Sequence, residues 1–169
     1  MPLPKINTPT YELEIPSTGK KIKYRPFLVR EEKILVMALE TEDMGQISNA
    51  IVEILSACIN TRGVKVQELA MFDIEYLFLN VRAKSVGEKI DVTVTCPDDG
   101  ETQVQTEIDI DTIRVQKDKE HTNIVKLDDT LSMKLKYPSM DQFVENNFEV
   151  EGDGGVDQSL EMISSCIEM

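Results

Sequence analysis

The sequence predicts an α+β fold, in which an N-terminal β-hairpin is followed by a helical cluster, an antiparallel β-sheet and C-terminal helices. Apolar residues alternate with period two over residues 11–24 and 88–137, whereas they recur at helical spacing over residues 29–85. Strands and helices that form separate runs along a chain are typical of α+β folds. We therefore expect residues 1–137 to form a single α+β domain.

Two short alternating segments predict the first hairpin, over residues 11–24. Residues 11–15 and 21–24 alternate as half-buried strands do. Between them, residues 16–20 supply Pro, Ser, Thr and Gly, which tight turns favour. Pro26 has no backbone N–H to donate to a neighbouring strand, and it should end the hairpin.

Helical spacing predicts a cluster of helices between the two strand regions. The predicted helices cover residues 29–42, 46–59 and 67–85. Glu31 lies near the start of the first helix, where the helix dipole favours a carboxylate, and Asp43 and Gly45 separate this helix from the second. The third segment is too apolar for a surface helix. We expect it to be largely buried and to bend near Asp73, with Asp73 as the cap of its second part.

The strongest hairpin signal falls in the second half of the chain. Residues 89–95 and 102–110 alternate strictly around a Pro-Asp-Asp-Gly turn. Two shorter strands are predicted at residues 122–127 and 131–137. We expect these strands to form an antiparallel sheet over residues 88–137, while periodicity leaves open whether the first hairpin joins it.

A C-terminal helical segment is predicted at residues 138–169. Ser139 should cap a short helix and Asp157 a final helix, on either side of an acidic, Gly-rich linker at residues 149–155. The sequence ends inside the final helix, so we expect that helix either to fray or to continue in a longer chain.

Some apolar residues of this segment exceed what so short a region can bury by itself. They are Phe143, Phe148, Leu160, Ile163 and Ile167. One interpretation is that they form an apolar groove with a charged rim, which binds helices of a protein partner. The other is that they pack onto the main core or onto a continuation of the chain. The sequence leaves both interpretations open.

The charge distribution limits the kinds of partner that the chain can bind. Its 169 residues include 18 basic and 31 acidic side chains, a formal net charge of −13. Residues 1–85 hold 11 side chains of each sign, so all of the excess negative charge lies in residues 86–169. Nucleic-acid binding needs a cationic surface and is therefore disfavoured. The apolar runs are shorter than the roughly 20 residues of a membrane span, and the first residues do not resemble a signal peptide.

The cysteines and the single histidine predict neither a disulfide framework nor a metal site. Cys58, Cys96 and Cys166 are odd in number and widely spaced. We expect Cys58 and Cys166 to be buried, reduced thiols, which suits a cytoplasmic location. A structural zinc ion needs about four N or S ligands, and His121 is the only histidine. No cofactor is predicted.

Enzyme chemistry finds little support in the sequence. Asp109 and Asp111 fall two residues apart on a predicted strand and share a face. Such a pair could serve acid–base chemistry, but it is more often the solvent side of an amphipathic strand. His121 lies in a polar loop, and no sequence motif supplies the nucleophile that a catalytic histidine needs.

Three segments have combinations of residues that generic amphipathicity does not explain. They are residues 19–35, with Pro-Phe-Leu before a Glu-rich helix start, residues 72–79 and residues 82–88. Through these segments the chain resembles the T4-type bacteriophage baseplate hub assembly family, over residues 3–169. Some relatives have a fuller Cys-rich turn where this chain has only Cys96, so the resemblance implies no zinc site here.

The resemblance implies a non-enzymatic role in building the contractile tail. It implies an assembly factor that acts as a transient chaperone for baseplate hub proteins or the tail tape-measure protein, in the host cytoplasm. A permanent structural subunit of the virion baseplate hub is the alternative, and a small enzyme that uses Asp109 and Asp111 is a remote one. The resemblance brings no catalytic residues with it.

Overall fold

The computed structural model describes residues 7–118, 120–140, 142 and 155–168. Its α-helices are α1 (Val29–Leu39), α2 (Met44–Cys58), α3 (Met71–Val86) and α4 (Gly155–Ser165). Its β-strands are β1 (Tyr11–Glu14), β2 (Lys21–Tyr24), β3 (Lys89–Thr95), β4 (Gln103–Asp109), β5 (Ile124–Lys126) and β6 (Ser132–Lys134). This order confirms the predicted α+β fold, with a hairpin at the N-terminus and a helix at the C-terminus.

The first hairpin forms where the alternating pattern predicts it. β1 and β2 pair antiparallel with Leu13 opposite Ile22, and Ile22 and Tyr24 are buried. The turn closes through Gly19, whose N–H donates to the Ile15 carbonyl at 2.8 Å. Gly19 has a φ of +69°, a conformation that glycine adopts without steric cost.

Main-chain hydrogen bonds attach this hairpin to the end of α2. The Arg25 N–H donates to the Cys58 carbonyl at 2.9 Å, and the Asn60 N–H donates to the Lys23 carbonyl at 2.8 Å. Between these bonds, Ile59 forms an antiparallel bridge to β2. The chain that leaves α2 therefore lies beside β2 as a short third strand would.

The third helical segment breaks earlier than the sequence predicts. A 3-10 turn at Val66–Glu68 precedes α3, which begins at Met71. Asp73 lies inside the first turn of α3 with only 2% of its surface exposed. Its carboxylate accepts hydrogen bonds from the Ser17 N–H, at 2.9 Å, and from the Ser17 hydroxyl. The expected bend at Asp73 is wrong, because Asp73 binds the turn of the first hairpin instead of capping a helix.

The first turn of α3 also holds the chain that follows β6. Ala70 forms an antiparallel bridge with Ser139, and the Met71 N–H donates to the Pro138 carbonyl at 3.3 Å. The Ser139 hydroxyl in turn accepts the Gln142 N–H at 3.3 Å, as the predicted N-cap requires. The start of α3 thus contacts both the N-terminal hairpin and the C-terminal part of the chain.

The core lies where the first hairpin, α2 and α3 meet. Its buried apolar residues are Ile15, Ile22, Tyr24, Ile54, Leu55, Cys58, Val66, Ile74, Leu77, Val81 and Met140. Cys58 is fully buried and Cys166 is 8% exposed, which confirms the prediction of two buried thiols. Burial raises the pKa of the Cys58 thiol to about 11, so this thiol is protonated at neutral pH.

α1 and α2 are joined differently from the prediction. α1 ends at Leu39 rather than at residue 42, and Glu42 has a φ of +55°, outside the helical region. The Asp43 carboxylate accepts the N–H groups of Gly45 and Gln46 at 2.8 and 3.1 Å. Asp43 is therefore the N-cap of α2, and Gly45 lies inside that helix.

The strands of the second half pair as antiparallel hairpins, as predicted, but do not merge into one sheet. β3 pairs with β4, placing Ile90 opposite Ile108, and β5 pairs with β6. The described strands form three separate two-stranded sheets instead of a single sheet over residues 88–137. β4 ends where buried Ile110 begins a 3-10 turn, Ile110–Thr112, which the Asp109 carboxylate caps by accepting the Asp111 N–H at 2.9 Å. This turn ends the strand, so β4 does not continue into β5.

A second buried carboxylate, Glu31, fixes the start of α1. It accepts the Leu28 N–H at 2.8 Å and the Arg25 guanidinium at 3.1 Å. Burial by itself would raise the pKa of Glu31, but the hydrogen bonds from Arg25 and Leu28 and the charge of Arg25 outweigh it. The pKa of Glu31 therefore lies below its ordinary value of 4.5.

Replacing Asp73 should destabilise the fold. Asp73→Ala leaves the Ser17 N–H without its acceptor, which should lower the free energy of unfolding by about 2 kcal/mol. Ser17→Ala removes only the hydroxyl donor and should cost about 1 kcal/mol. Urea denaturation followed by circular dichroism measures both. A loss below about 0.5 kcal/mol for Asp73→Ala would contradict the importance of this contact.

The Glu31 carboxylate should make stability depend on pH. Because its folded pKa lies below 4.5, it stabilises the fold above that pH, and this contribution disappears as the pH falls through the folded pKa. The stability advantage of the unchanged protein over Glu31→Gln should therefore shrink between about pH 7 and about pH 3 in urea titrations. Glu32→Gln, at the exposed neighbouring position, is the matched control. An advantage that stays constant across this range would show that Glu31 has no such role.

Candidate interaction surface

The segment after α4 adds a third strand to the β5–β6 hairpin. The Lys136 N–H donates to the Cys166 carbonyl at 2.8 Å, and the Glu168 N–H donates to the Lys134 carbonyl at 2.9 Å. Between these bonds, Leu135 and Ile167 form an antiparallel bridge. A two-stranded hairpin is marginal by itself, so this third strand supports both the hairpin and α4.

The register of these strands decides which side chains share a face. Val125 lies opposite Met133, the Leu127 N–H donates to the Leu131 carbonyl at 3.0 Å, and Leu135 lies opposite Ile167. Directly opposed residues, and residues two apart on a strand, lie on the same side of a sheet. One face is therefore largely apolar, with Asn123, which accepts the Leu135 N–H at its carbonyl, as its polar member. We call this face the C-terminal apolar face; its apolar residues are Val125, Leu127, Leu131, Met133, Leu135 and Ile167.

Most of the C-terminal apolar face is open to solvent. Leu127 and Leu131 are 55% and 54% exposed, and Val125 and Ile167 are 39% and 37% exposed. The opposite face is more polar: Lys134 forms an ion pair with Glu168 at 2.8 Å there. A large apolar side chain gains stability when it leaves water, so this face provides a surface for association.

Of the apolar residues predicted for partner binding, Leu160 and Ile163 are exposed on α4, and Ile167 belongs to the C-terminal apolar face. The predicted final helix to residue 169 is wrong, because α4 ends at Ser165 and Ile167 bridges to Leu135 instead. α4 also begins at Gly155, so Asp157 lies inside the helix rather than at its cap. Phe143 and Phe148 lie outside the described residues. Leu127 and Leu131 were not among the predicted residues, although the alternation along their strands placed them on one face with Val125.

Acidic groups border the C-terminal apolar face. The Asp128 carboxylate accepts the N–H groups of Thr130 and Leu131 at 2.7 and 2.8 Å, together with the Thr130 hydroxyl. The bonds from Thr130, followed by the bond from Leu131, lower the pKa of Asp128. Among residues 120–168, the side chains that the structure describes include five acidic and three basic groups. The described surroundings of the face therefore carry an excess of negative charge.

A separate aromatic cleft of about 570 Å³ lies between the first hairpin turn and the chain around Tyr137. The Tyr137 ring meets Phe72 edge-on at 4.8 Å and stacks on His121 at 5.9 Å, with its hydroxyl 2.8 Å from His121 Nε2. His121 is exposed, as predicted, but it contacts Tyr137 across 16 residues of sequence. No sequence pattern indicates this pairing.

The two carboxylates considered for catalysis make structural contacts. Asp109 accepts the Asp111 N–H at 2.9 Å, and Asp111 forms an ion pair with Lys84 at 3.2 Å. Within the described part of the chain, no three His, Cys, Asp or Glu residues are grouped so that they could hold a metal ion. In that same part, no helix has the length and apolarity needed to cross a bilayer.

The family model described as T4 bacteriophage base plate protein matches residues 8–169, nearly the whole chain. No curated protein and no solved structure matches it.

Substitutions on α4 should distinguish a surface role from a core role. Because Leu160 and Ile163 are exposed, Leu160→Ser and Ile163→Ser should each change the free energy of unfolding by less than about 0.5 kcal/mol. Ile54→Ala, in the core, should cost about 3 kcal/mol and is the comparison. Urea denaturation gives all three values. A loss above about 1.5 kcal/mol for Ile163→Ser would favour the interpretation that this stripe packs onto the core.

Proposed function

The chain belongs to the T4 bacteriophage base plate protein family, and from this premise we propose that it is a non-enzymatic assembly factor of the baseplate hub. It acts as a transient chaperone in the host cytoplasm, where it binds hub proteins or the tail tape-measure protein before they enter the tail.

One observation supports this proposal above the others: the apolar surface of the C-terminal part remains open. Leu160 and Ile163 on α4 and the residues of the C-terminal apolar face expose large apolar side chains within a segment whose sequence is strongly acidic. Exposed apolar patches mark sites of protein association. A chaperone for tail components needs such a surface, because its partners expose apolar stripes before they assemble.

The charge of the chain favours a transient contact over a permanent one. Permanent interfaces are large and have few charged residues at their centre. Here 29% of all residues are charged, and acidic groups such as Asp128 directly adjoin the exposed leucines. Such a mixed surface keeps the unbound protein soluble and suits a contact that forms and dissolves during assembly.

The non-enzymatic part of the proposal is supported by the roles of the candidate carboxylates. Asp109 and Asp111 are engaged in a turn and an ion pair rather than directed together at a cavity. His121 has an aromatic partner, Tyr137, where a catalytic histidine would have an orienting carboxylate.

Capture from infected cells tests the proposal. Tagged protein should capture hub or tape-measure proteins during tail assembly and should be missing from purified particles. The double variant Leu160→Ser/Ile163→Ser should reduce this capture about tenfold, which corresponds to about 1.4 kcal/mol of binding energy. The matched control is Val36→Ser/Leu39→Ser on α1, where the side chains are similarly exposed and capture should be unchanged.

Particle composition separates the proposal from its alternative. If the tagged protein is present in finished particles at a fixed copy number, it is a permanent subunit of the baseplate and the chaperone role is wrong. If both double variants reduce capture equally, the α4 surface is not the binding site.

A further inference from the structure

The C-terminal apolar face has the size and surroundings of a site for one helix. We propose that it binds a single amphipathic α-helix of a protein partner, whose apolar stripe is flanked by Lys and Arg residues. This inference rests on the proposed assembly role, since that role requires a protein partner, and it adds the chemistry of the partner and the place where it binds.

The width of the face matches a helix. β5 and β6 form a two-stranded sheet, and residues 166–168 lie beside it at Leu135 through one bridge. Because adjacent strands lie about 4.8 Å apart, the face is about 10 Å wide at Leu135 and narrower toward Leu127 and Leu131. An α-helix with its side chains is about 10 Å in diameter. A sheet with one apolar face is normally covered by a second layer, and a helix is a common form of that layer. One helix can therefore cover Leu127, Leu131 and Ile167 together.

Negative charge at the border of the face favours basic residues on either side of the apolar stripe of that helix. Asp128 lies between the two exposed leucines of the turn in sequence and accepts the Leu131 N–H at 2.8 Å, and an aspartate is ionised at neutral pH. The two lysines of β5 and β6 that lie on the opposite face, Lys126 and Lys134, are each paired with an acidic residue at 3.0 and 2.8 Å. A partner with Lys and Arg beside its apolar stripe complements this border.

The same charges disfavour a second copy of this chain as the occupant. Two copies that met through this face would bring two Asp128 carboxylates together, in segments whose described side chains over residues 120–168 are five acidic and three basic. Like charges across an interface oppose association. The same negative charge attracts a cationic partner and repels a second copy of the chain.

Binding of designed peptides to the purified full chain tests this inference. The probe is a fluorescein-labelled helical peptide of about 18 residues with a leucine stripe and lysines elsewhere, and its counterpart carries glutamates in place of the lysines. Fluorescence anisotropy should show that the lysine peptide binds at least about tenfold more tightly than the glutamate peptide. Raising the salt concentration should weaken the binding of the lysine peptide.

A matched pair of variants locates the site. Leu131→Ser removes an apolar side chain from the C-terminal apolar face and should weaken binding of the lysine peptide about tenfold. Ile124→Ser is the control, because Ile124 is also 54% exposed but lies on the opposite face of the same sheet; it should change the affinity less than about twofold. Leu127→Ser repeats the test at an independent position, and circular dichroism confirms that each variant is folded.

Several results would overturn the inference. Equal affinity for the two peptides would contradict the inference that the partner helix is flanked by basic residues. If Leu131→Ser and Ile124→Ser weakened peptide binding equally, the binding site would lie elsewhere. Self-association in sedimentation velocity that Leu131→Ser abolishes would make a second copy the occupant. These outcomes are independent of particle composition: selective binding by a protein that stays in the virion would keep this inference while the chaperone role failed.

Discussion

The first turn of α3 is the junction on which the rest of the structure depends. The buried carboxylate of Asp73 accepts both polar groups of Ser17 and thereby holds the first hairpin against this turn. Two residues earlier in α3, the Met71 N–H donates a hydrogen bond to the carbonyl of Pro138, which lies shortly after β6 in the sequence. Burying a carboxylate without such partners would cost several kcal/mol, so the hairpin and α3 stabilise each other's position. The same turn fixes the place of the C-terminal apolar face relative to the core.

Local patterns predicted the elements well, while their long-range contacts escaped prediction. The register that puts Ile90 opposite Ile108 follows from alternation around a tight turn, because a hairpin is determined by residues close in sequence. The role of Asp73 depends on Ser17, 56 residues away, and no periodicity reports a contact at that separation. The separation of the sheets was also missed, because a 3-10 turn at Ile110–Thr112 ends β4 where the alternating pattern still predicts a strand.

In the candidate surface, too, the local patterns were predicted from the sequence and the long-range contacts were not. Helical spacing identified the stripe of Leu160, Ile163 and Ile167, and the structure places all three at the surface. Strand alternation by itself places Leu127 and Leu131 on one face of a hairpin. The bridge between Leu135 and Ile167 adds a residue of the predicted helix to that face, because α4 ends at Ser165. Neither the helical nor the strand periodicity indicates this bridge.

The exposed C-terminal apolar face favours association, and the excess negative charge limits which partner can associate with it. A small sheet gains stability when a second layer covers its apolar side, and on the described chain that side remains exposed at Leu127 and Leu131. Exposed apolar surface alone would favour association with any apolar partner, including another copy of the same chain. The acidic border changes this balance, because repulsion between copies lowers self-association while a cationic partner is attracted. The charge that keeps the unbound chain soluble therefore also determines which partner completes its sheet.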